Sequence, residues 1–396
     1  MSFSIATSGL NAVTEQLNAI SNNIANSGTV GFKSGRAEFS ALYAESQPLG
    51  VGVTGITQSI TKGGSITSTG TALDLAINGN GFFMVRDSAG TTAYTRAGYF
   101  GTDSNGNLIN NQGMYMQGYP VDANGTLQVG SIGNLTISSG SIPAKATESI
   151  DFTANMDARA EVPATTPFDP KDNTSYNNSY TTQVYDSLGR EHTLNQYFVK
   201  TGDNTWKVHY YMDDTEVPGS AQDLTFNTQG ILTDPTGAVE LKATIPGAAP
   251  MKIDLTYNNT TQYGSDFSVS KNKGDGYASG ERTGQAIDKD GSVYATFSNG
   301  ERLLQGQLVL ANFTNPNGLQ SQDGTTWAQT ASSGAPLTGA PGTGLLGSIV
   351  SGALESSNVD LTSELVGLMT AQRNYQANTK VISTNDSMMN ALFQAV

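Results

Sequence analysis

The chain has 396 residues, which is more than one ordinary domain of about 100 to 200 residues holds and predicts two or three. Only 14% of the residues are charged and none is cysteine, which excludes disulfides, thiolate chemistry and cysteine-ligated metal sites. Acidic residues outnumber basic ones 34 to 20, giving a net charge of −14. Nucleic acid is therefore not an expected partner, because binding phosphates needs clustered Lys and Arg.

The sequence carries no apolar run of about 18 residues, so we do not expect a membrane-embedded protein. The first Lys or Arg is Lys33, and the basic region of a secretory signal peptide is therefore missing from the N-terminal segment. This leaves a cytoplasmic protein or one exported by a route that reads no such signal.

The N-terminal segment predicts a helix, because its apolar residues alternate in steps of four and three along a coiled-coil seam. The seam residues are Ala6, Leu10, Val13, Leu17, Ile20 and Ile24.

The C-terminal segment repeats this spacing over five heptads and places Asp360 as an N-cap. Its apolar seam residues are Leu361, Leu365, Leu368, Tyr375, Ile382 and Met389, interrupted by the polar Gln372, Thr379 and Asp386. Two interpretations stay open: each helix packs on its own domain, or the two pair antiparallel and bury their remaining apolar surface against neighbouring subunits.

The middle of the chain predicts antiparallel β structure. A tetrad with Asp or Asn first and Gly fourth recurs eight times, which is the preference of a type I turn between hairpin strands. The tetrads start at Asp87, Asp103, Asp122, Asp186, Asn227, Asp234, Asp288 and Asn315. Strand-like runs flank them, for example at 81–86, 193–199 and 292–297.

Charge separates the middle of the chain from its ends. Residues 145–276 hold 10 basic and 18 acidic residues, whereas the terminal segments are almost neutral. We interpret the acidic, Pro-rich centre as a solvent-facing domain and the neutral ends as surfaces that pack against copies of the chain.

The sequence predicts no catalytic, cofactor-binding or metal site. His192 and His209 lie in strand-like, polar surroundings, and no HExxH or GxSxG arrangement occurs. The glycine motifs at 50–55 and 342–347 lack the βαβ context of a dinucleotide site and read as flexible or extended connectors. The segments at 103–107 and 288–291 lack the rest of a calcium loop and read as turns. The acidic cluster at 213–216 reads as a solvated loop.

Several motifs resemble those of the bacterial flagellar rod and hook proteins, a family of axial structural subunits. The N-terminal ones lie at 8–11, 20–26 and 29–33, and their C-terminal partners at 357–361, Glu364, 371–378 and 380–384. The stretch 73–83 resembles the opening of the family's first β-domain, and 306–313 with Trp327 its closing part.

The resemblance implies a mainly β fold with paired α-helical termini and two outward antiparallel β-domains of sandwich or barrel type. The expected divisions are an inner coiled-coil assembly domain (1–30 and 358–396), an extended connector (31–70 with about 340–357), a first β-domain (71–144 and 277–339) and an inserted outer β-domain (145–276). The twelve apolar seam residues form the expected assembly interface.

The long acidic insert indicates the hook type of subunit, which polymerises into a curved tube and acts as a universal joint between motor and filament. The implied partners are copies of the chain itself, the distal rod protein, the hook cap, the hook-filament junction protein and the type III export apparatus. The alternatives are a distal rod protein of the same family and, in another class, an extracellular carbohydrate-active β-protein, suggested by the repeated turns and by Trp206 and Trp327.

Overall fold

The structure is a computed structural model that describes residues 2–44, 47–122, 125–219 and 221–395. It divides into two compact units. The terminal unit comprises Met1–Ser139, Gly284–Thr296 and Arg302–Val396, and the inserted unit comprises Gly140–Thr283 and Phe297–Glu301.

Both ends of the terminal unit are helical, as predicted. Helix α1 spans Ser2–Ala25 and helix α2 spans Leu361–Ala395. The carboxylate of Asp360 accepts hydrogen bonds from the backbone N–H groups of Thr362 and Ser363, at 2.9 and 3.2 Å, which confirms it as the N-cap of α2. Neither described helix is long and apolar enough to cross a membrane.

A long β-hairpin follows α1 and was not predicted from the sequence. Strand β1 (Gly35–Ala44) pairs antiparallel with β2 (Gln47–Gln58). The first glycine motif, at 50–55, therefore lies within a strand of this hairpin. Few alternating side chains mark β2, because three of its twelve residues are glycine.

Short strands continue the terminal unit up to the insertion. They are β3 (Ile66–Ser68), β4 (Leu75–Asn78), β5 (Phe82–Arg86), β6 (Thr92–Thr95), β7 (Phe100–Thr102), β8 (Leu108–Asn110), β9 (Tyr115–Pro120) and β10 (Gly133–Asn134).

The inserted unit is a β-sandwich. Its strands are β11 (Ser149–Asp157), β12 (Asn178–Tyr185), β13 (Glu191–Gly202), β14 (Thr205–Met212), β15 (Thr215–Glu216), β16 (Gln222–Phe226), β17 (Leu232–Asp234), β18 (Val239–Ala243), β19 (Met251–Thr256), β20 (Thr261–Tyr263) and β21 (Ser268–Gly274). One sheet contains β12–β17 and the other β11 and β18–β21. Alternate residues from both sheets form one core, including Phe152, Phe198 and Trp206.

One feature of this sandwich differs from the antiparallel expectation. Strand β11 pairs in parallel with β19, through Ser149–Asp151, and with β20, through Asn155–Asp157. Parallel pairing requires a crossover connection, which turn tetrads between neighbouring strands do not reveal.

The chain returns to the terminal unit through further strands. They are β22 (Arg282–Ile287), β23 (Ser292–Phe297), β24 (Arg302–Leu308), β25 (Leu310–Asn312), β26 (Gln320–Gln322), β27 (Thr326–Ala328), β28 (Leu337–Gly339), β29 (Ser348–Ser351) and β30 (Ala353–Glu355), with a short 3-10 helix at Pro316–Gly318. The large sheet runs β22–β23–β24–β9–β5–β6–β27–β26, so strands from before and after the insertion share one sheet. Its aromatic core brings Phe82, Tyr94, Phe313 and Trp327 edge to face.

The predicted turns are confirmed at seven of the eight tetrads. In each of the seven, the N–H of the fourth residue, Gly, donates to the carbonyl of the first. The exception is the tetrad that starts at Asp234, since that residue is the end of strand β17.

Candidate functional site: the terminal helices and their anchor

Helices α1 and α2 pack antiparallel within one chain. Gly9 lies against Asn378 and Ile20 against Gly367, so the start of one helix faces the later part of the other. Ala371 is fully buried in a small core with Val13 and Ile20. The small side chains of α2 at this contact let the two backbones approach closely.

The predicted α1 seam faces this contact. Ala6, Val13 and Ile20 are buried, and Leu10, Leu17 and Ile24 are partly buried. Leu17 and Ile24 pack against the Val13–Ile20–Ala371 core.

The predicted α2 seam lies mostly beside the contact rather than in it. Leu368 packs against the small core and Ile382 is partly buried, but the other four seam residues are exposed. Their exposed fractions are 47% for Leu361, 51% for Leu365, 42% for Tyr375 and 47% for Met389. In the single chain α2 therefore turns a stripe of large apolar side chains to the outside.

The β1–β2 hairpin lies against α1. The N–H of Val51 donates to Oγ of Ser8, in the first half of α1, at 3.1 Å. Asn23 fixes the other end through two bonds with the backbone of Gly35: its Nδ2 donates to the carbonyl, and its Oδ1 accepts from the N–H, both at 2.8 Å. The same Nδ2 donates to Oε1 of Glu364 at 2.9 Å, so one buried amide joins α1, β1 and α2.

A buried ionic cluster, here called the anchor, lies where α1, the hairpin and α2 meet the β-strands. It consists of Lys33, Arg96 and Glu355, whose side chains are 1%, 5% and 2% exposed. Nζ of Lys33 lies 2.5 Å from Oε1 of Glu355, and Nη1 of Arg96 lies 2.9 Å from Oε2.

Backbone groups complete the anchor. The N–H of Gly64 donates to Oε1 of Glu355 at 3.0 Å, and the ammonium of Lys33 donates to the carbonyl of Lys62 at 2.9 Å. Arg96 donates through Nη2 to the carbonyl of Gly79 at 2.9 Å. The charges are thus both paired and hydrogen-bonded, as buried charges must be.

The neighbouring charges shift the pKa values of Glu355 and Lys33 in the anchor. Burial alone would raise the pKa of the Glu355 carboxyl, but the positive charges of Arg96 and Lys33 outweigh it, and the pKa lies below its usual 4.5. Burial lowers the pKa of Lys33, and the carboxylate of Glu355 opposes that effect. The ionised form of Glu355 is therefore the form that the fold stabilises.

Asn358 ties the same segments together next to the anchor. Its Oδ1 accepts from the N–H of Ser34 at 2.7 Å, and its Nδ2 donates to the carbonyls of Ser59 and Lys62, both at 2.9 Å. The residues that precede α2 are thereby bonded to both ends of the hairpin.

Comparison with known proteins places this arrangement in a family. Four family models match the chain: "Flagella basal body rod protein" at 3–33, "Flagellar hook protein FlgE/F/G D1 domain" at 76–155, "Flagellar basal body protein FlaE D2 domain" at 155–277, and "Flagellar basal body rod FlgEFG protein C-terminal" at 350–395. The chain is 44% identical to the flagellar hook protein FlgE of Salmonella typhimurium (strain LT2) over 99% of both chains. It is 43% identical to that of Escherichia coli (strain K12), again over 99% of both.

The chain belongs to the flagellar hook protein FlgE family. It is a structural subunit of the bacterial flagellar hook and is located there, which confirms the hook interpretation over the distal rod and carbohydrate-active alternatives. A crystal structure of the Helicobacter pylori flagellar hook protein FlgE2 shares the fold, with a TM-score of 0.54 at 14% identity, covering 73% of this chain and all of that one.

The anchor of this hook subunit was not predicted from the sequence, although the family-like motifs contain some of the residues that form it or lie beside it. Lys33, Asn358 and Glu364 all lie within the motifs that resemble the family, and each makes a bond between distant segments. Arg96 and Glu355 lie outside those motifs, and no local pattern joins residues 259 positions apart.

The two histidines are in cross-strand or stacked positions of the inserted unit. His192 lies between the carboxylates of Asp186 and Asp213, and His209 stacks on Phe168 with ring centroids 4.2 Å apart. The described residues contain no group of three or more His, Cys, Asp or Glu side chains that could hold a metal ion.

Proposed function

We propose that the chain polymerises into a curved tube that acts as a universal joint, transmitting motor torque to the filament. The observation that carries this proposal is the apolar stripe on α2 that α1 leaves uncovered in a single chain. Burying such a stripe against further copies is favourable by about 25 cal/mol per Å² of apolar surface.

The assembly interface proposed here consists of the twelve seam residues of the two helices. The α1 residues are Ala6, Leu10, Val13, Leu17, Ile20 and Ile24, and the α2 residues are Leu361, Leu365, Leu368, Tyr375, Ile382 and Met389. In this proposal 1–30 and 358–396 form the inner domain, 31–70 with about 340–357 the connector, 71–144 with 277–339 the first β-domain, and 145–276 the outer one. The packed helices provide torsional stiffness, and sliding of the β-domains allows bending.

Further partners follow from the proposed place in the flagellum. They are the distal rod protein, the hook cap, the hook-filament junction protein and the export apparatus, through which the chain passes unfolded. The proposed role is purely structural, without enzymatic activity.

Replacing Leu365 by Asp tests the interface. Because Leu365 is half exposed in the single chain, the subunit should fold, but a buried carboxylate should prevent polymerisation. Electron microscopy and sedimentation measure polymer, and circular dichroism monitors the β-structure.

Leu188→Asp is the matched control, since Leu188 is a 62% exposed leucine of the inserted unit. It should polymerise like the unaltered chain. Normal curved polymers from Leu365→Asp would refute the proposed interface.

A further inference from the structure

The anchor joins four segments that enter it from different directions. Lys33 follows α1, Gly64 follows β2, Arg96 follows β6, and Glu355 ends β30 just before α2. Glu355 bonds all three of the others through its two carboxylate oxygens, and its backbone carbonyl also accepts the N–H of Gly31 at 2.8 Å.

We propose that Glu355 is the positioning residue that holds the helices and the hairpin in place on the β-strands of the terminal unit, and that its protonation releases them. This inference rests on the proposed function, because it assigns a latch to the same helices that form the proposed assembly interface.

The described residues offer no substitute for the Glu355 carboxylate. The charged groups that face it from the surrounding segments are Lys33 and Arg96, and both are cations. Without its charge, Lys33 keeps the carbonyl of Lys62 and Arg96 keeps that of Gly79. Two buried cations with only neutral partners are strongly unfavourable.

The backbone around the anchor has little room to rearrange. A Cβ built on Gly64 would lie 1.8 Å from the carbonyl oxygen of Ser356. Gly31 has a φ of +72°, and a Cβ there would lie 2.5 Å from the amide nitrogen of Ala97. The segments therefore fit together in one arrangement, and losing the central bonds should separate them.

The direction of the pH effect follows from the charges. The pKa of Glu355 is lowered in the fold, so its stabilisation is present above the usual value of 4.5 and is lost as the pH falls through the lower folded value. Acid should therefore release the helices and hairpin, and the release should depend on this carboxyl.

The test compares the full chain with its Glu355→Gln variant by amide hydrogen exchange between pH 3 and 7. Three amides report different distances from the anchor. Gly64 donates to the carboxylate itself, Ser34 to Asn358, and Gly35 to Asn23 of α1. We expect Glu355→Gln to reduce the protection of all three by about tenfold or more at neutral pH, because it leaves two buried cations without a counter-charge.

The unaltered chain should show the same loss only below pH 4.5, and the variant should lose the pH dependence. The matched control is Asp288→Asn, which removes a carboxylate from the half-exposed pair with Arg302 and keeps the turn. It should behave like the unaltered chain at every pH.

A loss of amide protection confined to Gly64 would overturn the proposal, because it would mean that only the hydrogen bond from Gly64 to residue 355 is lost. Unchanged protection at Ser34 and Gly35 of the unaltered chain in acid would overturn it as well. Amide exchange is measured on chains that have not polymerised, whereas the proposed function is tested by polymerisation of the unaltered chain. Failure of the latch proposal can therefore be distinguished from failure of the proposed function.

Discussion

At the residue scale, single buried polar side chains bond distant segments of the chain to one another. Asn23 is 2% exposed and bonds α1 to the hairpin and to α2 through three hydrogen bonds. An amide is suited to this position because it donates and accepts at once, so it can pair both backbone groups of Gly35.

Replacing Asn23 by Ala should therefore weaken the attachment of the hairpin. The partly buried N–H and carbonyl of Gly35 would lose their partner, at a cost of about 1 to 3 kcal/mol. Amide exchange of Gly35 in the polymer should be about 10- to 100-fold faster, since 1.4 kcal/mol corresponds to a factor of ten.

The control is Asn18→Ala, which changes an exposed asparagine of the same helix. It should leave the exchange of Gly35 unchanged. If Asn23→Ala also leaves the exchange of Gly35 unchanged, then the hairpin is held mainly by its other contacts with α1.

Residues of this kind were only partly predictable. The Asp and Asn of the turn tetrads act on backbone within four residues, so local sequence predicted seven of eight turns. The partners of Asn23, Lys33 and Glu355 are set by the tertiary fold, and a single sequence contains no distance between residues 322 positions apart.

At the scale of elements, the face of α2 that contacts α1 is decided by size rather than by hydrophobicity. Heptad spacing predicted the leucine stripe, but the contact uses Gly367 and Ala371, and Leu365 points elsewhere. Small residues allow the helices to lie close, and the larger apolar ones remain available to other chains. Spacing correctly predicted two helices but left open whether they pair, which only the family resemblance implied, and it did not indicate which stripe of α2 contacts α1.

Replacing Ala371 by Leu tests this explanation. Ala371 is fully buried between the helices, so the added atoms must push them apart, at a cost of about 1 to 3 kcal/mol. If polymerisation needs the paired helices, the critical concentration should rise about 5- to 150-fold, as measured by sedimentation.

Gln376→Leu, at an exposed position five residues further along α2, introduces the same side chain away from the contact and serves as the control. An equal rise in critical concentration for Ala371→Leu and Gln376→Leu would show that an added leucine disturbs assembly wherever it lies on α2, and not because it lies between the helices.

At the scale of the whole molecule, each unit has its own core and its own tryptophan. Trp206 is buried in the sandwich of the inserted unit, where its Nε1 donates to Gln262 at 2.7 Å. Trp327 is buried in the aromatic core of the terminal unit. The acidic composition of 145–276 was interpreted as a solvent-facing domain, but composition contains no information on the buried hydrogen bonds that connect the two sheets of the inserted unit.

One of these bonds allows the inserted unit to be weakened selectively. The hydroxyl of Tyr257 donates to Oε1 of Gln196 and lies 2.7 Å from the hydroxyl of Tyr210, all three groups being buried. Tyr257→Phe removes this link and leaves polar groups unpaired, which should cost the inserted unit about 1 to 3 kcal/mol.

With both tryptophans replaced by 5-fluorotryptophan, two fluorine resonances should follow the unfolding of the two units in urea. The midpoint reported by Trp206 should fall by roughly 1 M, given a slope of about 1 to 3 kcal/mol per M, while that reported by Trp327 stays constant. Tyr263→Phe, at a half-exposed tyrosine of the same unit, should shift neither midpoint. Equal shifts at both tryptophans would instead mean that the two units unfold as one, because a loss confined to one core can lower the other midpoint only if their unfolding is coupled.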